Sequence, residues 1–129
     1  PSHQQDQGSI LLVEDDEVVR HLARRMLQKA GYEVVVAGNA GEALLLCEER
    51  DAPIDLLLTD VVMPHISGPQ LAERLGRIFA GLRVLYMSGY TDDILTEHGI
   101  CRDNADFVGK PFTPQELAEK VSLVLGHFS

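Results

Sequence analysis

Five polar side chains stand at or just behind the ends of short apolar runs, and their types suit chemistry on a phosphoryl group. Asp60 ends the run Ile54-Asp55-Leu56-Leu57-Leu58-Thr59, and Glu14 and Asp15 follow Ile10 to Val13. Ser88 follows Val84 to Met87, and Lys110 follows Ala105 to Val108 after one glycine. Carboxylates brought together repel and raise one another's proton affinity unless a cation intervenes. A small all-oxygen set suits Mg²⁺, which keeps several waters and completes its shell with phosphate oxygens. Lys110 offers a compact positive charge for a phosphoryl group, and Ser88 a hydroxyl for hydrogen bonding. Each residue alone has a plainer reading, since an Asp at a strand end commonly just opens a turn. Only a fold that delivers all of them to one edge makes them a site.

The elements that would do so are read from periodicity. Ile54 to Asp60 and Ile10 to Val13 have the continuous apolar character of strands buried on both faces. A buried helix imitates that over so short a span, but Pro53 and Pro64 bracket the longer run and favour a strand. Val34 to Ala37, Val84 to Met87 and Ala105 to Val108 supply three more. Between the runs the spacing turns helical. Val18, Leu22, Met26 and Ala30, with Val19, Ala23 and Leu27 beside them, form a stripe ended by Gly31. Arg24, Arg25 and Lys29 complement the negative end of that helix. Asp16 reads as its cap. Asn39, three residues before Glu42, predicts a capping-box start to a helix bearing Ala43, Leu44, Leu46 and Cys47. Ser67 and Gln70 around Gly68-Pro69 predict a third, with Leu71, Leu75, Ile78 and Phe79 as its buried stripe. Thr91 to Gly99 has few apolar residues and predicts a short, weakly held helix. Thr113, Pro114 and Glu116 open the last, with Leu117, Val121, Val124 and Leu125 on one face.

Strands alternating with helices predict an α/β fold, a doubly wound five-stranded parallel sheet, and right-handed crossovers leave few topologies. We take the order 2-1-3-4-5. In such a sheet ligands sit outside the carboxyl ends of the strands, where the five polar residues fall.

The length of 129 residues suffices for one core. Residues 1–8 are polar and aperiodic and read as a disordered arm or linker, leaving 9–129 as the domain. A formal charge of −9, from 20 acidic against 11 basic residues, opposes affinity for a phosphate backbone, so nucleic acid is not an expected partner. No apolar run nears the roughly 20 residues of a membrane span and no secretory signal opens the chain. No membrane contact and a cytoplasmic location are therefore expected. Cys47 and Cys101 lack CxxC or His spacing, which fits reduced thiols better than a disulfide or zinc site.

The combination of Val13-Glu14-Asp15-Asp16, Thr59-Asp60-x-x-Met63-Pro64 with Gly68, Met87-Ser88-Gly89 and Lys110-Pro111-Phe112 resembles the response-regulator receiver domains of two-component signalling. The likeness runs from about Ser9 to the C-terminus, and the strand order above leans on it as well as on topology. It implies a flavodoxin-like receiver fold with Asp60 as phosphoacceptor. It also implies Mg²⁺ ligated by Asp15, Asp60 and the Val62 main-chain carbonyl, with Glu14 acting through water. Lys110 would contact the phosphoryl group, Ser88 would be the switch hydroxyl, and Phe107 the switch aromatic. The donor would be a histidine kinase or histidine phosphotransfer protein. The output surface would be Thr91 to Gly99, the fifth strand and the last helix, with room for a homodimer through that face. Glu14 departs from the family's frequent Asp-Asp pair, and Phe107 stands where many relatives have Tyr. Val62 and Tyr90 would flank the path of an attacking water, so slow autodephosphorylation is expected. The stretch from Met87 to Asp93 resembles receivers fused to hybrid histidine kinases, and a chain opening on Pro1 agrees with an excised segment. The end soon after the last helix leaves no expected DNA-binding or enzymatic output domain.

Three other classes compete with this reading. A haloacid-dehalogenase-type phosphatase also uses a strand-end Asp and Mg²⁺, but looks for a second acid two residues on, where this chain has Val62. A flavin carrier would need a phosphate-binding loop after the first strand, which is missing. A phosphorylation-independent interaction module is the remaining alternative. The expectation is a signalling domain that catalyses only its own phosphotransfer.

Overall fold

The computed structural model describes residues 8–49, 53–88 and 106–126. The expected helix from Thr91 to Gly99, Tyr90, Cys101 and residues 1–7 lie outside the described residues. The elements are β1 (Ser9–Val13), α1 (Glu17–Lys29), β2 (Glu33–Ala37), α2 (Ala40–Glu48), β3 (Leu56–Asp60), α3 (Gly68–Ile78), β4 (Arg83–Ser88), β5 (Asp106–Gly109) and α4 (Pro114–Leu125). The strands form one parallel sheet in the order β2-β1-β3-β4-β5, as expected. Gly8, assigned to the arm from sequence, is tied to the sheet: its carbonyl accepts from the Glu33 N–H at 3.0 Å.

Alternate residues of the central strands feed opposite faces. Ile10, Leu12, Leu56, Leu58 and Leu85 join Ala23 and Leu27 of α1 and Leu117 and Val121 of α4 in one buried cluster. Leu11, Val13 and Leu57 face the other way, against Ala43 and Cys47 of α2 and Leu71 and Leu75 of α3. The local helix signals operate as read. Ser67 with Gln70 and Thr113 with Glu116 form reciprocal capping boxes, and Asp16 accepts from the Val18 and Val19 N–H groups. At α2 the reciprocity moves by one residue. Asn39 accepts from the Glu42 N–H, but the Glu42 carboxylate accepts from Gly38 rather than from Asn39.

Two stripes differ from expectation. Val18 and Leu22 of α1 are 67% and 51% exposed, while Ala23 and Leu27 are fully buried. Positions four apart advance by about 40° around a helix, so a stripe of three such steps drifts out of a contact that a neighbouring line fills. In α3, Ile78 is 45% exposed at the last helical residue. Phe79 packs on the core instead, where the chain leaves in an extended conformation. Among the described residues no helix is long and apolar enough to cross a membrane.

Candidate functional site

The described core contains three buried polar residues, Glu14, Thr59 and Asp60, and all belong to the carboxyl ends of β1 and β3. Burying carboxylates there demands partners. Lys110, at the end of β5, donates to Glu14 Oε2 at 2.7 Å and is ion-paired with Asp60 Oδ1. The other Glu14 oxygen accepts from the Asp16 N–H at 3.0 Å. Asp15 is exposed, and one oxygen from each of Glu14, Asp15 and Asp60 falls within 4.8 Å of the others. This is the cluster that sequence reasoning assembled, with Lys110 bridging its two buried members.

Charge in this small volume sets the proton affinities. Burial, and then the neighbouring Glu14 carboxyl, push Asp60 up to about 7 against the pull of Lys110. Burial also opposes ionisation of Glu14, yet its bonds with Asp60, Lys110 and the Asp16 N–H hold it below the ordinary range. Lys110 is desolvated too, but Asp60 and Glu14 keep it above its usual value and hence charged.

The loop after Asp60 closes tightly. The Gly68 N–H donates to the Val61 carbonyl at 2.8 Å, and a Cβ on Gly68 would overlap the Asp60 carbonyl oxygen. The sequence pattern contained Gly68 without this reason for it. Val62, whose carbonyl was expected to face the metal, lies half-buried in this loop. The Lys110–Pro111 peptide is cis.

Ser88 and Phe107 lie on the other two strands. Asp60 pairs in register with Met87, so Ser88 is one step beyond it, and the Lys110 N–H donates to the Ser88 carbonyl at 3.1 Å. Phe107 is opposite Tyr86, with ring centroids 5.7 Å apart and planes tilted by 36°. Both rings cluster with Val61, Val62 and Val84. Burial drives the Tyr86 phenol up to about 12.

Sequence reasoning missed two residues here. Tyr86 read only as part of an apolar run, because its partner is set by β4–β5 register. Arg20 drew no reading from the sequence, yet its Nη1 donates to the Glu14 carbonyl at 2.9 Å. No short-range spacing rule links a helix residue to one before its cap.

Residues 10–122 match the sequence model of the response regulator receiver domain family. The chain is a receiver domain. The receiver is 35% identical over 118 residues to the sensor kinase CckA of Brucella abortus, covering 92% of this chain and 12% of that protein. It is 34% identical to the response regulator receiver protein CpdR of the same organism, covering 90% of this chain and 95% of that one. Among solved structures it superposes on the receiver domain of the hybrid histidine kinase CckA with a TM-score of 0.76 at 38% identity, over 92% of this chain and 99% of that chain. On the chemotaxis response regulator CheY4 of Vibrio cholerae the TM-score is 0.77 at 27% identity, over 91% and 98% of the two chains. It is thus a signalling domain of two-component systems rather than a conventional enzyme.

Proposed function

We propose that this receiver accepts a phosphoryl group on Asp60 from the histidine of a partner protein and signals through its β4–β5 side. The observation that carries this reading is the buried Asp60 carboxylate, oriented by Lys110 at the open edge of the sheet. In the step proposed, an Asp60 oxygen attacks phosphorus in line. A P–O bond forms as the donor's P–N bond breaks, and the electron pair returns to the imidazole. Lys110 stays charged and meets the transferring oxygens. Asp60 must be ionised to attack, and its raised proton affinity is what a second cation would reverse.

The donor set fits Mg²⁺, an all-oxygen cluster with only a few carboxylates. Asp15, Asp60 and the Val62 carbonyl would hold it, and when bound it would neutralise charge on the phosphoryl oxygens. Both Glu14 oxygens are already engaged, which favours an indirect role through water. In the product, the Ser88 hydroxyl is drawn toward the phosphoryl group and Phe107 follows, changing the β5 face.

Leu22 gains a role under this reading. With Val19, Lys110, Pro111 and Phe112 it borders an apolar groove of about 290 Å³ at the rim of the site. A partner that brings a histidine to Asp60 must pass over this rim, and an apolar helix face would cover it. Likeness to the receiver of CckA supports a place in a kinase-fed relay.

Incubation with phosphoramidate and Mg²⁺ followed by intact-mass analysis should add one phosphoryl group. Asp60→Asn should remove it. Undiminished labelling of that variant would sink the assignment, and Mg²⁺ binding without labelling of the wild type would leave an interaction module.

A further inference from the structure

Arg20 sits one turn into α1 in an acidic neighbourhood, with Glu14, Asp15, Asp16 and Glu17 all within six residues. Among the described residues it nevertheless forms no ion pair. Its guanidinium donates instead to a neutral acceptor, the Glu14 carbonyl, at 2.9 Å. That peptide links the two acids of the β1–α1 turn. Glu14 is held on both sides of its Cα: its N–H, on the preceding peptide, donates to the Ala37 carbonyl at 3.2 Å, and its own carbonyl, on the Glu14–Asp15 peptide, accepts from Arg20.

Space for the guanidinium comes from the neighbouring loop. A Cβ on Gly38 would lie 3.2 Å from Arg20 Nη1, inside comfortable contact. Gly38 is itself held in place by Glu42, whose carboxylate accepts from its N–H at 2.8 Å. The displaced reciprocity of the α2 cap therefore has a consequence: the side chain that would have capped Asn39 fixes the glycine beneath Arg20.

We infer that Arg20 is a positioning residue for the metal acids: it pins the Glu14–Asp15 peptide so that Asp15 is presented to Mg²⁺, and Gly38 keeps the place where it stands. The inference rests on the reading of Glu14, Asp15 and Asp60 as the Mg²⁺ cluster. It has a sign that separates it from simple electrostatics. Removing a cation beside a metal site should strengthen divalent-cation binding by Coulomb attraction alone. Removing a group that orients a ligand should weaken it, typically by about 10- to 100-fold.

The experiment is a Mg²⁺ titration of the metal-free protein, followed by amide shifts and paired with a urea-unfolding midpoint for each variant. Arg20→Ala should raise the Mg²⁺ dissociation constant about tenfold, while the metal-free midpoint stays near that of the wild type. Gly38→Ala keeps the charge and crowds the guanidinium, so it should weaken binding in the same direction by a smaller factor. If Arg20→Ala does not fold, Gly38→Ala decides. Equal or tighter binding by Arg20→Ala, or wild-type binding by Gly38→Ala, would overturn the inference. Asp15→Asn is the control for the underlying reading: if it binds Mg²⁺ as the wild type does, the metal assignment itself is wrong.

Discussion

Glu14 and Asp60, on β1 and β3, are 1% and 4% exposed and tied into one charged network, whereas Ser88 and Phe107, on β4 and β5, are half-buried. The β1–β3 half is closed from several sides. Lys110 bridges its two carboxylates, the Asp16 N–H and Arg20 hold the turn, and Gly68 abuts the Asp60 carbonyl. In the other half, Phe107 packs against Tyr86 in a tilted ring contact. A charged network in a low-dielectric interior tolerates little displacement. A ring pair is worth only about 0.5–1.5 kcal/mol beyond its buried area and can be exchanged for another packing. The charged network is therefore concentrated at the ends of β1 and β3, and the exchangeable ring packing lies on β4 and β5.

The most direct way to break that division is Gly68→Ala. The added methyl must push the Asp60 backbone or α3 aside, so a stability loss on the order of 3 kcal/mol is expected. A phosphorylation rate lower by about 10²-fold should accompany it. Denaturant unfolding and timed mass analysis measure the two, and near-normal values would mean that the acceptor strand is not rigid. Next in size, Lys110→Ala should slow phosphorylation by on the order of 10²-fold. Ser88→Ala should leave labelling largely intact while both variants lose the phosphorylation-dependent amide shifts at Phe107. Wild-type shifts in both would mean that the two halves are not coupled through these groups.

A third expectation sharpens the contrast through pH. Asp60 in the folded, metal-free protein titrates near 7, above its unfolded value of 3.8, so the folded state binds the extra proton between those limits. Its ionisation is thus destabilising above about 7, and that penalty fades as pH falls toward 4. Glu14 is held low and Lys110 high, so neither titrates across pH 5–8. Metal-free wild type should gain stability from pH 8 to 5 relative to Asp60→Asn, by unfolding at each pH. Mg²⁺ affinity should fall over the same interval, approaching about tenfold per pH unit below 7, because proton and metal compete. A flat profile would place the acceptor in a more solvated setting. The smallest effect belongs to the ring pair. Tyr86→Leu should change the switched population of Phe107 by about two- to tenfold, with phosphorylation of Asp60 intact. Fluorine-labelled Phe107 reads this directly.

By itself the sequence determined the elements and the identity of the edge residues. Apolar runs, caps and turn residues are local signals, and they placed Glu14, Asp15, Asp60, Ser88 and Lys110 at strand ends because strand direction alternates predictably with helices. The α/β class and the strand order followed from the same alternation and from family likeness. Tertiary structure alone decided which of those residues meet. Lys110 reaches Glu14 across 96 positions of chain, and Tyr86 meets Phe107 only because β4 and β5 pair in that register. It also chose Ala23 and Leu27 over Val18 and Leu22 as the buried line of α1, which leaves Leu22 on an apolar rim beside Lys110. The requirement for Gly68, and the hold of Arg20 on Glu14 over Gly38, belong to the same class. Periodicity reports what a residue does along its own element, whereas close approach between elements depends on register, helix rotation and loop closure, which no local pattern encodes.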